Sequence, residues 1–183
     1  EPDRRVEDGD VLTIGNRRLR VVWTPGHTPG HICLYDEERS VVFTGDHVLP
    51  QITPHIGYWI ESDLDPLGKF LESLRKLKSL GAKSALPAHR EPIDDVGGRL
   101  DVLFAHHDER ESPLLESLST TLTGAQIAAK LPWRRNQSKF DELPATERSF
   151  ALVETLAHLE HLRARGIVER VSGPDVIRYQ KRA

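Results

Sequence analysis

Residues 24–31 read Thr24-Pro25-Gly26-His27-Thr28-Pro29-Gly30-His31, one tetrapeptide written twice. Each proline fixes φ and each glycine admits backbone angles that other residues avoid, so the stretch is a rigid loop and not a helix. It follows the run Val21 to Trp23, which holds two imidazoles just past the end of a strand. Asp46, in Thr44-Gly45-Asp46-His47, stands in the same relation to the run Val41 to Thr44, and His89 follows Ala85-Leu86. Strand ends are where α/β folds place ligands. Imidazole and carboxylate are donors for zinc and for carboxylate-bridged pairs of ions. The competing reading is a turn with capping or packing histidines and an aspartate that satisfies backbone donors.

Outward from these loops, the first 46 residues predict strands. Val11 to Ile14, Leu19 to Trp23, Ile32 to Tyr35 and Val41 to Thr44 are short β-branched or aromatic runs, with Gly15-Asn16 and Asp36-Glu37-Glu38 at hairpin spacing between them. Asp65-Pro66 then opens a helix closed by Gly81, with Leu67, Phe70, Leu71, Leu74, Leu77 and Leu80 as a buried stripe. Ala85-Leu86 is a further short strand. Strands followed by helix and strand describe a layered α/β (α+β) body.

After Gly97-Gly98 a second helix carries Leu100, Leu103, Phe104 and His107 on one face, and Ser112-Pro113 either kinks it or caps a fresh turn. Leu122 to Lys130 is expected as a short helix, 134–144 as a loop, and Thr146 to Arg165 as a long helix ended by Gly166. Ile167 to Val171 and Val176 to Tyr179 form a terminal hairpin around Ser172-Gly173-Pro174-Asp175. Helix, helix and hairpin in about 60 residues outline a winged helix. The expected domains are therefore 1–111 and 112–183.

Composition narrows the function. The chain has 183 residues, 38% of them hydrophobic and 29% charged, which suits a packed core. No run approaches the roughly 20 apolar residues of a membrane span, so no membrane partner is expected. A single cysteine, Cys33, cannot form an internal disulfide and points to a reducing compartment, the cytoplasm. Net charge is −7 over residues 1–120 and +4 over 121–183, an acidic body with a basic tail. The sequence contains no Met and begins Glu1-Pro2, and the expectation drawn from this is that a segment lies upstream.

Residues 24–31, Thr44 to Asp46 and Leu86 to His89 resemble, in order, the later motifs of the metallo-β-lactamase superfamily. The stretch Thr44-Gly45-Asp46-His47-Val48-Leu49-Pro50-Gln51-Ile52-Thr53-Pro54 is similar to that of the bacterial lactamase-like hydrolases with a C-terminal winged helix. The resemblance implies the C-terminal half of an αββα sandwich followed by a winged-helix domain. It implies a hydrolase in which a metal-bound hydroxide is the nucleophile, so that no protein side chain is assigned as catalytic. The cofactor implied is zinc, two ions per complete protein, and the substrate an ester, a thioester or a phosphodiester such as RNA. His27 would complete the first ion's ligand set, Asp46 would bridge both ions, and His89 would bind the second. His31 would support the loop, and His47 would line the substrate cleft. The family's His-x-His-x-Asp-His motif is absent from this sequence, so only part of the ligand set is here, and the 183 residues alone are expected to bind zinc weakly or not at all. Two further departures are Ala88 and Arg90, where the family usually has glycine.

Other residues carry alternatives. His107 falls on an apolar stripe and is expected as a buried, hydrogen-bonded histidine beside His106. Glu154, His158 and His161 recur at helical spacing, which could chelate a surface metal, and are expected as a solvated outer face. Cys33 is expected as a core filler. Thr146 to Arg165 balances its charges, and the basic surplus lies in Lys130, Arg134, Arg135, Lys139 and the tail from Arg178 to Arg182. That surplus suits a grip on nucleic-acid phosphates. The competing uses are packing over the cleft and homodimer formation. A second functional reading is thus a non-catalytic nucleic-acid-binding or interaction module on a lactamase-like scaffold.

Overall fold

Strands β1 (Val11–Ile14), β2 (Arg17–Trp23), β3 (Ile32–Asp36) and β4 (Val41–Gly45) pair antiparallel in sequence order in a computed structural model of the chain. The structure describes residues 3–56, 58, 65–133, 138–173 and 176–182. The expected sites at Glu1-Pro2, Arg134, Arg135 and Pro174-Asp175 lie outside them. The chain divides into two units, residues 1–54 with 68–105 and residues 55–67 with 106–183.

In the first unit, Gly15 turns β1 into β2 at φ 61°, a left-handed angle that glycine adopts without strain. After β4 the pairing changes sense. β5 (Ser84–Pro87) lies parallel to β4, which a hairpin cannot achieve, and α1 (Pro66–Ser79) provides the crossover. The α1 stripe is buried as expected at Leu67, Phe70, Leu71, Leu74 and Leu77. Val22, Cys33, Tyr35, Val42 and Ala85 form the buried face of the sheet, and Tyr35 Oη donates to the Leu80 carbonyl at the end of α1 (3.1 Å). On the other face, Leu34, Phe43 and Leu86 stand side by side in register and are only half-buried.

The helix expected after Gly97-Gly98 begins earlier. α2 (Val96–Ser117) takes both glycines into its first turn, because Asp95 Oδ1 accepts the Gly98 N–H (2.9 Å) and acts as the cap. Pro113 lies inside this helix and does not end it.

In the second unit, β6 (Leu122–Thr123), β8 (Ile177–Lys181) and β7 (Val168–Ser172) make an antiparallel sheet in that order. The helix expected from Leu122 is corrected to α3 (Gly124–Ala128). Thr123 is its N-cap, extended at φ −77° and ψ 159°, and exchanges capping-box hydrogen bonds with Gln126. An N-cap cannot be helical, so Leu122 and Thr123 are free to pair with Tyr179 and Arg178. A short 3-10 turn, Phe140–Glu142, precedes α4 (Ala145–Ala164).

The outer face of α4 is also corrected. His158 is 2% exposed, and His161 Nδ1 meets the Asp65 carboxylate at 3.0 Å, so this polar stripe is enclosed and not solvated. Glu160 is fully buried. Arg163 and Arg170 donate to its two oxygens (2.6 and 2.8 Å), and Tyr179 Oη donates as well (2.8 Å). Burial and this carboxylate push the Tyr179 hydroxyl far above its ordinary range. A buried carboxylate with three donors is satisfied, but its removal strands the donors. Glu160→Ala is expected to cost about 3 kcal/mol, near the low end for a broken buried pair because both arginines reach solvent. The shift of the urea midpoint, followed at the second unit, measures it.

Candidate metal centre

Loop 24–31 closes on itself. Thr24 N donates to the His31 carbonyl (2.9 Å), and Gly26 N and His31 N both donate to Thr28 O (3.3 Å each). Trp23 Nε1 braces it from outside by donating to Pro29 O (3.0 Å). Helix α1 holds it from below, since Ser73 Oγ donates to the Pro25 carbonyl (2.8 Å). Gly26 has φ 143°, and a Cβ there would stand 2.5 Å from Phe70 Cβ and 2.7 Å from Phe70 Cα. Only glycine permits this approach of loop to helix backbone, and it fixes the height at which the next residue, His27, stands.

The end of β4 is fixed by the same loop. Gly45 has φ 53°, and a Cβ on it would fall 2.7 Å from His31 Nε2. The other ring nitrogen of His31 contacts Thr24 Oγ1 (2.9 Å), so the imidazole is wedged between a strand end and a glycine. Burial, and then the neighbouring His27, lower its pKa, while Asp46 opposes them. The third loop joins through Ala88 N, which donates to the Gly45 carbonyl (2.9 Å). Arg90 adopts φ 70°, the angle for which glycine at that position is suited.

These supports bring together the three residues that the sequence singles out as ligands. His27 Nε2 lies 4.0 Å from Asp46 Oδ2, and His89 Nε2 lies 3.4 Å from Asp46 Oδ1. Asp46 thus turns one oxygen toward each imidazole. The donor types suit zinc. Their number is smaller than two ions require, and among the described residues no group of three or more His, Cys, Asp or Glu is arranged to hold an ion.

His31 sits with its ring between Thr24 Oγ1 and Gly45. His47 is corrected: its side chain is wholly buried, with its ring 4.5 Å from that of Phe70 and 5.4 Å from that of His31, so it lines no open cleft here. Neither of its ring nitrogens has a hydrogen-bond partner among the described residues, and burial holds its pKa well below the ordinary histidine value. Cys33 is the buried filler expected, its thiol against Thr24 Oγ1 (3.3 Å) and its pKa pushed up to about 12 by burial. Thr24, Gly45 and Ser73 were not singled out from the sequence as site residues in their own right. Ser73 left a signal, as a polar residue on an otherwise apolar helical stripe.

Residues 1–89 match the model of the metallo-beta-lactamase superfamily, and residues 140–182 match that of the metallo-beta-lactamase-like C-terminal domain. These matches support membership of the metallo-β-lactamase superfamily. Its structure superposes on a metallo-beta-lactamase family protein from Thermus thermophilus with a TM-score of 0.84 and 38% identity, covering 100% of this chain and 55% of that one. A beta-lactamase domain protein from Burkholderia ambifaria gives 0.86 and 34%, covering 98% and 52%. Lactamase-like protein nscB of Arthroderma gypseum is 33% identical over 121 residues, 66% of this chain and 36% of the relative. The chain therefore spans about half the length of these two structures and about a third of that curated relative.

The glycine contacts give a paired test. Gly26→Ala is expected to destabilise the first unit by about 1–3 kcal/mol through overpacking against Phe70. Gly30→Ala, with nothing within 4 Å of its Cβ position, is expected to leave the denaturant midpoint nearly unchanged.

Proposed function

We propose that the chain supplies one edge of the metal centre of a zinc-dependent hydrolase, with His27, Asp46 and His89 as its ligands here. The observation that carries this reading is the split of the Asp46 carboxylate, one oxygen toward each histidine. Bound metal would supply an activated nucleophile and offset the negative charge that builds on the cleaved group. The residues of this chain set the geometry. Gly26 against Phe70 places His27, the Gly45–His31 contact places Asp46, and the Ala88 hydrogen bond places His89. No described side chain is assigned a proton-transfer role.

The substrate class is an ester, thioester or phosphodiester, and RNA is the polymeric form that suits a basic partner surface. Residues 112–183 are proposed as a winged-helix domain and 1–111 as part of the hydrolase body. Lys130, Lys139, Arg178, Lys181 and Arg182 are exposed, which supports a grip on phosphates. Arg163 and Arg170 are committed to Glu160 and add nothing to it. Homodimer formation is the competing use of this domain. The proposed compartment is the cytoplasm. Among the described residues no helix is long and apolar enough to cross a membrane.

Metal analysis of the whole protein tests the reading. About two zinc ions per molecule are expected, with loss of both in Asp46→Ala and at least a tenfold weaker first site in His27→Ala. A protein that purifies metal-free and cannot be reconstituted would sink it. Salt-dependent RNA binding by that same protein would then favour the non-catalytic module.

A further inference from the structure

We propose that His107 and His158 form an acid-sensitive latch, which holds the C-terminal half of α2 to α4 only while both imidazoles are neutral. Each residue is 2% exposed. His107 Nδ1 lies 3.3 Å from His158 Nε2, with the ring centroids 5.3 Å apart. Between two neutral rings, one nitrogen donates its hydrogen and the facing nitrogen accepts it. A first proton places a cation in a site closed to water. A second leaves N–H facing N–H with no acceptor between them.

Glu154 is the carboxylate that favours a charge on His107, and Arg110 already engages it (3.3 Å). From α2, His106 meets the His107 ring edge-on at 5.0 Å, and Arg110 brings a fixed positive charge. Its guanidinium lies over the Trp133 ring at 4.3 Å and donates to the Pro132 carbonyl (2.8 Å). From α4 come Glu154 and His161. The Glu154 carboxylate is taken by Arg110 Nε (3.3 Å) and faces His106 Nε2 (3.8 Å). His161 is paired with Asp65 (3.0 Å). His158 Nδ1 has no hydrogen-bond partner among the described residues, so a proton added there is a buried donor with nothing to accept it.

Burial, and then the neighbouring histidines and Arg110 against an opposing Glu154, hold His107 well below the ordinary histidine value, and burial and then Arg110 hold His158 at about 3. Both folded values lie below the unfolded value of about 6.5. The stability that the neutral pair contributes is therefore full above about pH 6.5 and is lost as pH falls from there toward the folded values. The latch belongs to the second unit alone and lies apart from the metal ligands in sequence.

Pulse-labelling hydrogen exchange on the full-length protein tests this. Samples are equilibrated between about pH 7.5 and 5, labelled at one common pH, and read on peptides from 151–164. Below about pH 6.5 the opening constant of α4 is expected to rise by up to about 100-fold per pH unit, about tenfold for each histidine. His158→Gln is expected to reduce that slope to about tenfold, and the double variant with His107→Gln to remove it. A flat response in the unmodified protein, or variants that keep its slope, overturns the proposal. Ring proton–carbon NMR of the unmodified protein decides the matter without substitution. Both rings are expected to stay neutral until α4 opens, and titration near pH 6.5 while α4 is still protected also overturns it.

Discussion

The backbone of Gly26 resting on the backbone and Cβ of Phe70 is the contact on which the site depends. A loop of two prolines and two glycines is stiff, but stiffness alone does not say where the loop stands. The contact with α1, reinforced by Ser73 Oγ on the Pro25 carbonyl, converts a rigid loop into a located one. From there the placement passes along the strand ends. His31 sits against Gly45, and the Gly45 carbonyl receives Ala88 N. Three loops, far apart in sequence, are thereby held in one register by contacts in which a side chain at position 26 or 45 would collide.

Six of the nine histidines do four different things, and burial separates them. His27 and His89 keep access to solvent beside a shared carboxylate. His31 is a wedge with one hydroxyl partner. His47 fills space against Phe70, and His107 and His158 meet in the second unit. Residue type and spacing made His27 and His89 candidates, and the family resemblance implied the first two roles. They did not separate His47 from a cleft residue, because its burial is set by His31 and Phe70, which are distant in sequence. The α4 stripe misled for a similar reason. Spacing at i, i+4 and i+7 shows which residues share a face but not what covers that face, and residues of α2 and Asp65 cover it.

Charge followed the same division. Summed over residues 146–165, acids and bases cancel and suggest a neutral, solvated helix. In the fold Glu160 is wholly buried and draws in Arg163, Arg170 and Tyr179. Those two arginines serve the interior, while Lys130, Lys139, Arg178, Lys181 and Arg182 stay exposed. Cost explains the arrangement: a buried carboxylate must be fully satisfied, and satisfying it consumes the nearest arginines.

By itself the sequence determined the order of elements from β1 to α2, the α1 stripe, the rigid loop and the three candidate residues at the strand ends. These follow from local properties: period of apolar residues, fixed φ at proline, and freedom at glycine. It placed α2 too late and read β6 as helix, because a cap depends on whether Asp95 or Thr123 turns its side chain to the backbone. The tertiary structure alone decided that β4 and β5 run parallel, that Asp46 splits its oxygens between His27 and His89, and that His158 is enclosed. Each of these is a meeting of residues remote along the chain, and local pattern carries no information about which remote surfaces meet.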